Sequence, residues 1–221
     1  MLASELINIM IPPLKLADTT AHALLWMDEF RCNQLPVVND GEFLGLISED
    51  MILDQEAEVS LIGDLDLQYS HCKVDQSAHF YDIIKLASAN NIELVGVVNE
   101  QNVFVGVITM KDTISALSQT LAVQSSGAIL ILSLKTIDYS LSEISRLVES
   151  EGYKVLSSSI INDSSNNDLL KLTIKVNSED VSRLVATFER FNYKVIASLG
   201  DQKSVSSDKE HLDVLFKYLD I

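Results

Sequence analysis

The feature that most constrains this chain is an internal repeat. Leu35-Pro36-Val37-Val38-Asn39 recurs 60 residues later as Val95-Gly96-Val97-Val98-Asn99. A turn follows each, Asp40-Gly41 in the first copy and Glu100-Gln101-Asn102 in the second. Next come Phe43-Leu44-Gly45-Leu46-Ile47-Ser48 and Phe104-Val105-Gly106-Val107-Ile108-Thr109, so the second turn is one residue longer. Each copy reads as strand, tight turn, strand, and Asp-Gly is a strong hairpin signal. A helical pattern precedes each hairpin. Thr19 or Thr20 is expected to cap a helix with Ala23, Leu24, Met27 and Phe30 on its apolar stripe. In the second copy Ser77 takes the cap and Phe80, Ile83, Ile84 and Ala87 form the stripe. Short helices are expected to start at Glu49 and Lys111. The unit is therefore β-α-β-β-α, present twice, over residues 1–60 and 61–122.

After a linker at Gln124-Ser125-Ser126-Gly127 the pattern changes. Ala128 to Leu134 reads as a strand, and Leu141, Ile144, Leu147 and Val148 as a helical stripe. Tyr153 to Ile161 and Leu169 to Val176 read as strands around a polar turn. Val181, Leu184, Val185 and Phe188 give a second stripe, and Tyr193 to Ala197 a last strand. That order over residues 126–200 is βαββαβ, a ferredoxin-like arrangement, and the whole chain is of the α/β (α+β) class. Glu151-Gly152-Tyr153-Lys154-Val155 is echoed 40 residues later by Phe191-Asn192-Tyr193-Lys194-Val195, as a duplicated half predicts. Beyond a polar tether, residues 207–221 place Leu212, Leu215, Phe216 and Leu219 on one face of an amphipathic helix, expected to pack on its own protein or a dimer partner.

Acidic residues outnumber basic ones 32 to 16, a formal net charge of −16. Such a surface repels phosphate backbones and anionic headgroups, which argues against nucleic-acid and membrane partners. A bound nucleotide stays compatible, since backbone N–H groups at a helix start hold phosphate locally. The opening residues carry Glu5 without a basic lead-in and meet Pro12-Pro13, unlike a signal peptide. Apolar runs such as Gly127 to Leu134 are too short to span a bilayer. Cys32 and Cys72 form neither a disulfide framework nor a metal motif, and a cytoplasmic location with reduced thiols is expected.

The repeated unit resembles the CBS domain, which occurs in pairs as a Bateman module. The resemblance rests on Leu35-Pro36-Val37-Val38 with Gly45-Leu46-Ile47-Ser48, and on Gly106-Val107-Ile108-Thr109-Met110-Lys111-Asp112. In nucleotide-binding members the pattern is glycine, two apolar residues, Thr or Ser, two free positions, then Asp. The resemblance implies that Gly106 lets the backbone approach the ligand, Thr109 faces a phosphate or ribose oxygen, and Asp112 accepts the ribose hydroxyls. By the same likeness Val95 and Val97 wall the adenine, and Ser70 and His71 close the base pocket. The competing reading is that Thr109 and Asp112 only cap their helix. The first copy departs from the pattern. Leu35, Val37 and Ser48 stand in place, but Met51 occupies the Asp position and Asp50 lies one residue early. One good site and one weaker or empty one are expected.

The C-terminal βαββαβ stretch resembles the ACT domain through its element order and Asp138-Tyr139-Ser140-Leu141-Ser142-Glu143-Ile144. No glycine lies between Asp138 and Ile144, where amino-acid-binding members usually carry one, so sheet pairing in a homodimer is the expected role. Asp138 or Ser140 is expected to cap the helix there. His22, His71, His79 and His211 have no metal spacing, and no GxxxxGK[ST], GxSxG or GxGxxG occurs. Adjacent His71 and Cys72 point to opposite faces of a strand, and Trp26 reads as core. No catalytic residues, metal or required cofactor are expected. The sequence points to a regulatory sensor of AMP, ADP or ATP acting in trans on a protein target. The alternatives are a ligand-free dimerisation scaffold and, with nothing in the motifs to favour it, an enzyme.

Overall fold

The 60-residue repeat folds into a pair of matching halves. The computed structural model describes residues 1–54, 61–163, 166 and 168–200, so the expected helix over 207–221 lies outside the described residues. Contacts divide the chain into two units, Met1–Leu117 and Ser118–Ile221.

In the first unit the elements are α1 (Thr20–Phe30), β1 (Gln34–Asn39), β2 (Glu42–Ser48) and α2 (Glu49–Leu53), then β3 (Lys73–Asp75), α3 (Phe80–Asn90), β4 (Leu94–Val98), β5 (Phe104–Thr109) and α4 (Met110–Thr120). Thr19 caps α1, its side chain accepting from His22 N–H at 3.2 Å. In the second copy the cap is His79, whose side chain accepts from Tyr81 N–H, and not Ser77. Ser77 donates both its hydroxyl and its N–H to Asp75 Oδ1, at 2.6 and 2.8 Å, and so belongs to a turn ahead of the helix. α4 begins at Met110, one residue before the expected Lys111. Both long helices stop on a left-handed residue at equivalent positions, Arg31 and Asn91, each with φ 52°. Asp40 and Gly41 both have positive φ, 50° and 83°, as a two-residue hairpin turn of type I′ requires.

β1 and β2 pair antiparallel, as do β4 and β5, with a bulge at Val37/Val38 and again at Val97/Val98. β3 pairs parallel with β4, Val74 opposite Val97. The corresponding first strand of copy one shrinks to a single parallel bridge, Leu14 to Val37. One cause is a proline in β1. Gly96 N–H donates to Cys72 O at 3.0 Å, whereas Pro36 at the equivalent place has no N–H to offer the preceding segment.

The copies are cross-strapped. The opening segment of copy one pairs with the hairpin of copy two through Asn8–Val107, and the opening segment of copy two pairs with the hairpin of copy one through Gln68–Leu46. One core serves both, with Leu35, Val37, Leu46, Ile47, Ile83, Val95, Val97 and Ile108 all at 0 % exposure. Phe43 and Phe104, equivalent residues of the two hairpins, stack with ring centroids 6.1 Å apart. Trp26 is half-buried against this core and meets His22 edge-on.

The second unit contains β6 (Ala128–Lys135), α5 (Leu141–Ser150), β7 (Val155–Asn162), β8 (Leu169–Val176), α6 (Ser182–Arg190) and β9 (Lys194–Leu199). Its sheet runs β7-β8-β6-β9, antiparallel throughout, which is the ferredoxin-like order for βαββαβ. Alternate residues of β6 and β8 bury Leu130, Leu132, Leu172 and Ile174 against Ile144, Leu147, Leu184 and Phe188 of the helices. Ser140 caps α5 by accepting from Glu143 N–H; Asp138 sits in a preceding 3₁₀ turn.

Candidate functional site

The site begins where β5 becomes α4. Thr109 ends the strand, and its hydroxyl oxygen accepts from Asp112 N–H at 3.2 Å. Asp112 returns the contact, accepting from Thr109 N–H at 3.1 Å and from the Thr109 hydroxyl at 2.6 Å. This is a reciprocal capping box built from Thr and Asp at the spacing read in the sequence. Both residues are half-buried and open on a cleft of about 640 Å³.

That cleft is built from both copies. Asn8, Met10 and Ile11 form one wall; Arg31, Cys32 and Gln34 come from the end of α1 and the start of β1; Glu93 and Leu94 lead into β4. Lys111 and Arg31 bring positive charge, and neither is held in an ion pair among the described residues. Burial pushes the Cys32 thiol above its ordinary value, with Glu93 raising it further against a main-chain hydrogen bond at Gln34, so it is protonated and uncharged.

The expected site residues are distributed as follows. Thr109 and Asp112 share the cleft, as just described. Val95 and Val97 are fully buried in β4, paired with Ile108 and Gly106, and the residue of this strand that reaches the cleft is Leu94. Gly106 has φ 154°, a conformation disfavoured for other residues, and its open side is taken by Ile7 and Asn8 of this same chain. Ser70 and His71 lie with the other half. A side chain at Gly45 of copy one would meet the Gln68 carbonyl and approach Ser70 N, and His71 Nε2 is 2.9 Å from Asn90 Oδ1. The exchange follows from the cross-strapping: the residues that flank Thr109 and Asp112 are Asn8 to Ile11, sixty positions ahead of Gln68 to His71. In copy one, Leu35 and Val37 are fully buried. Ser48 caps α2 by accepting from Met51 N–H at 3.2 Å, and Asp50 stands exposed in the first turn.

Sequence reasoning missed Asn8, Met10, Ile11, Arg31, Gln34, Glu93 and Lys111. The repeat offset relates Asn8 to Gln68, but only the crossed straps show which hairpin each segment serves.

The second unit has a cleft of its own, about 580 Å³, lined by Lys135, Asp138, Glu143, Tyr193 and Lys194 among others. Burial raises the Tyr193 hydroxyl above its ordinary value, and Glu143 and Asp138 raise it further. Among the described residues no group of three or more His, Cys, Asp or Glu could hold a metal ion, and no helix is long and apolar enough to cross a membrane.

Two β-α-β-β-α halves are thus joined through one core and crossed straps. The family model for the CBS domain matches residues 6–58 and 71–119, one match per copy of the repeat. No curated protein matches the chain. Among solved structures, the chain is similar to a CBS domain pair/ACT domain protein from Thermotoga maritima, at 20 % identity and TM-score 0.49, over 55 % of this chain and 99 % of that one. It is also similar to the CBS domains of a transcriptional regulator from Streptococcus pneumoniae, at 20 % identity and TM-score 0.47, over 52 % and 98 %. A third likeness is to CBSX2 in complex with AMP, at 18 % identity and TM-score 0.47, over 53 % and 97 %.

Proposed function

We propose that the first unit senses an adenine nucleotide, AMP, ADP or ATP, and acts in trans on a protein target without a catalytic step or a required cofactor. One observation carries this reading. Thr109 and Asp112 open on a cleft that also presents Arg31 and Lys111, two cations free of ion pairs among the described residues in a chain of net charge −16. Asp112 accepts from ribose hydroxyls, exchanging them for the Thr109 hydroxyl it now holds. The Thr109 side chain and the first N–H groups of α4 then face phosphate, with Arg31 and Lys111 adding charge. Met10, Ile11 and Leu94 offer the apolar surface an adenine ring stacks on. Ligand binding shifts a homodimer between two arrangements in proportion to its differential affinity for them. The βαββαβ unit is ACT-like and pairs sheets in that dimer, and the protein works in the cytoplasm. Copy one, with Met51 where the pattern has Asp, holds a weaker site or none.

A second reading is favoured by the same residues. The capping box is complete without a ligand, since each of Thr109 and Asp112 satisfies the other. On that reading the module is a ligand-free scaffold. Thermal unfolding with AMP, ADP, ATP and S-adenosylmethionine separates the two. A nucleotide at one hundred times its Kd adds about 2.7 kcal/mol of stability. No shift with any of them leaves the scaffold, and Asp112→Ala binding as tightly as wild type would remove Asp112 from the site while keeping the sensor.

A further inference from the structure

We propose that Gln34 is the specificity-determining donor of this cleft, its Nε2 donating to an unprotonated ring nitrogen of the bound adenine; this rests on the cleft being a nucleotide site. Gln34 opens β1 in copy one, is only 9 % exposed, and lines the cleft beside Thr109 and Asp112. Its Oε1 accepts from Glu93 N–H of copy two at 3.0 Å. Glu93 in turn receives Met110 N–H on its carbonyl at 2.9 Å, at the first residue of α4. Gln34 is thus fixed to the same short frame that positions Thr109.

The Glu93 N–H settles which way the amide faces. A backbone donor must meet the oxygen, so the NH₂ group points away from it. That NH₂ makes no hydrogen bond among the described residues. It is not sealed in the core either, because no fully buried side-chain nitrogen or oxygen there lacks a partner. Gln34 lines this cleft together with Thr109 and Asp112, so the cleft offers its unused donor a place to meet an acceptor. A side chain nine-tenths buried, locked by one end and unpaired at the other, is a preorganised donor that loses little entropy when an acceptor arrives.

The repeat supplies a contrast. The residue equivalent to Gln34 in copy two is Leu94, which lines the same cleft and starts its strand without any polar group. The fold therefore does not need an amide at this place. A purine seated on Leu94 and Ile11 presents N1, N3 or N7 as acceptors, whereas its exocyclic amine repels an N–H donor. One of these ring nitrogens is the partner for Nε2.

The test is a binding cycle on the full chain, using AMP and its 1-deaza, 3-deaza and 7-deaza analogues against wild type and Gln34→Met. Wild type should bind one of the three analogues about tenfold more weakly than AMP, the worth of a buried hydrogen bond. Gln34→Met should bind AMP about tenfold more weakly and show no further loss with that analogue. The difference within each protein cancels any general effect of the substitution on the cleft. Gln34→Glu, which keeps an acceptor for Glu93 N–H and removes the donor, serves the same comparison if the methionine variant fails to fold. If wild type binds AMP but tolerates all three analogues, or if the variants keep the same analogue penalty, Gln34 is not the donor and nucleotide sensing survives. If wild type binds no adenine nucleotide, both proposals fall.

Discussion

Asp112 and Thr109 hold each other through three hydrogen bonds of 2.6 to 3.2 Å, of which the hydroxyl-to-carboxylate bond is lost when either side chain is removed. Thr109→Ala is expected to cost about 1 kcal/mol in chemical denaturation, the usual worth of a lost cap. The double Thr109→Ala/Asp112→Ala variant should cost clearly less than the two single losses added together, because one reciprocal contact is counted twice. Half-buried Asp75 and exposed Asp180 set a different residue-scale expectation. Asp75 is held below its ordinary 3.8 by the Ser77 hydroxyl and then the Ser77 N–H. Asp180 is held below 3.8 by the Ser182 N–H and then its hydroxyl, with help from Arg183. A lowered folded pKa gives stability that is present above 3.8 and is lost as pH falls through the folded value. Asp75→Asn and Asp180→Asn should therefore lower stability at neutral pH and flatten its decline below pH 3.8. An unchanged acid limb in both variants would refute the assignment.

At the scale of elements, the crossed straps decide which residues meet. Gly45 stands at φ 148° where a side chain would collide with the Gln68 carbonyl, and Leu46 N–H donates to that same carbonyl at 2.8 Å. Gly45→Ala should destabilise the first unit by about 3 kcal/mol, since backbone strain and strap displacement add. Gly152 has φ 85° and faces open space, with no atom within 4 Å of where a Cβ would stand. Gly152→Ala should therefore cost only about 1 kcal/mol, the left-handed penalty alone. Urea titration of the two variants compares them directly. The hairpins, the long helices and the βαββαβ order were legible because hydrophobic periods of 2 and 3.6 and the Asp-Gly turn report local geometry. The loss of a full first strand in copy one was readable in principle, since Pro36 removes a donor that Gly96 supplies in copy two. Ser77 misled as a cap because Asp75, two residues earlier, captures it; His79 sits 60 residues after Thr19, where the repeat itself pointed.

For the molecule as a whole, two separate cores imply two unfolding events. One core draws on residues from Ala3 to Ala116 and the other from Ala128 to Phe188. Phe188 is fully buried in the second and meets Tyr193 edge-on at 5.8 Å. Phe188→Ala should cost about 4 kcal/mol, lowering one calorimetric transition and leaving the other in place. AMP, if it binds the first cleft, should raise the transition that Phe188→Ala does not touch. A single transition that both perturbations move together would show the units to be thermodynamically coupled.

What the sequence by itself determined is the repeat, the class of each unit and the pair Thr109 and Asp112. All of these rest on spacing along the chain, which local hydrogen bonding and side-chain periodicity translate directly into structure. What only the tertiary structure decided is the company that pair keeps. Asn8 to Ile11, Arg31, Gln34 and Glu93 reach the cleft because strands from two copies share one core and their leading segments cross over. The strap that reaches Thr109 joins Asn8 to Val107, far apart along the chain, and no local preference encodes which hairpin a strap will choose.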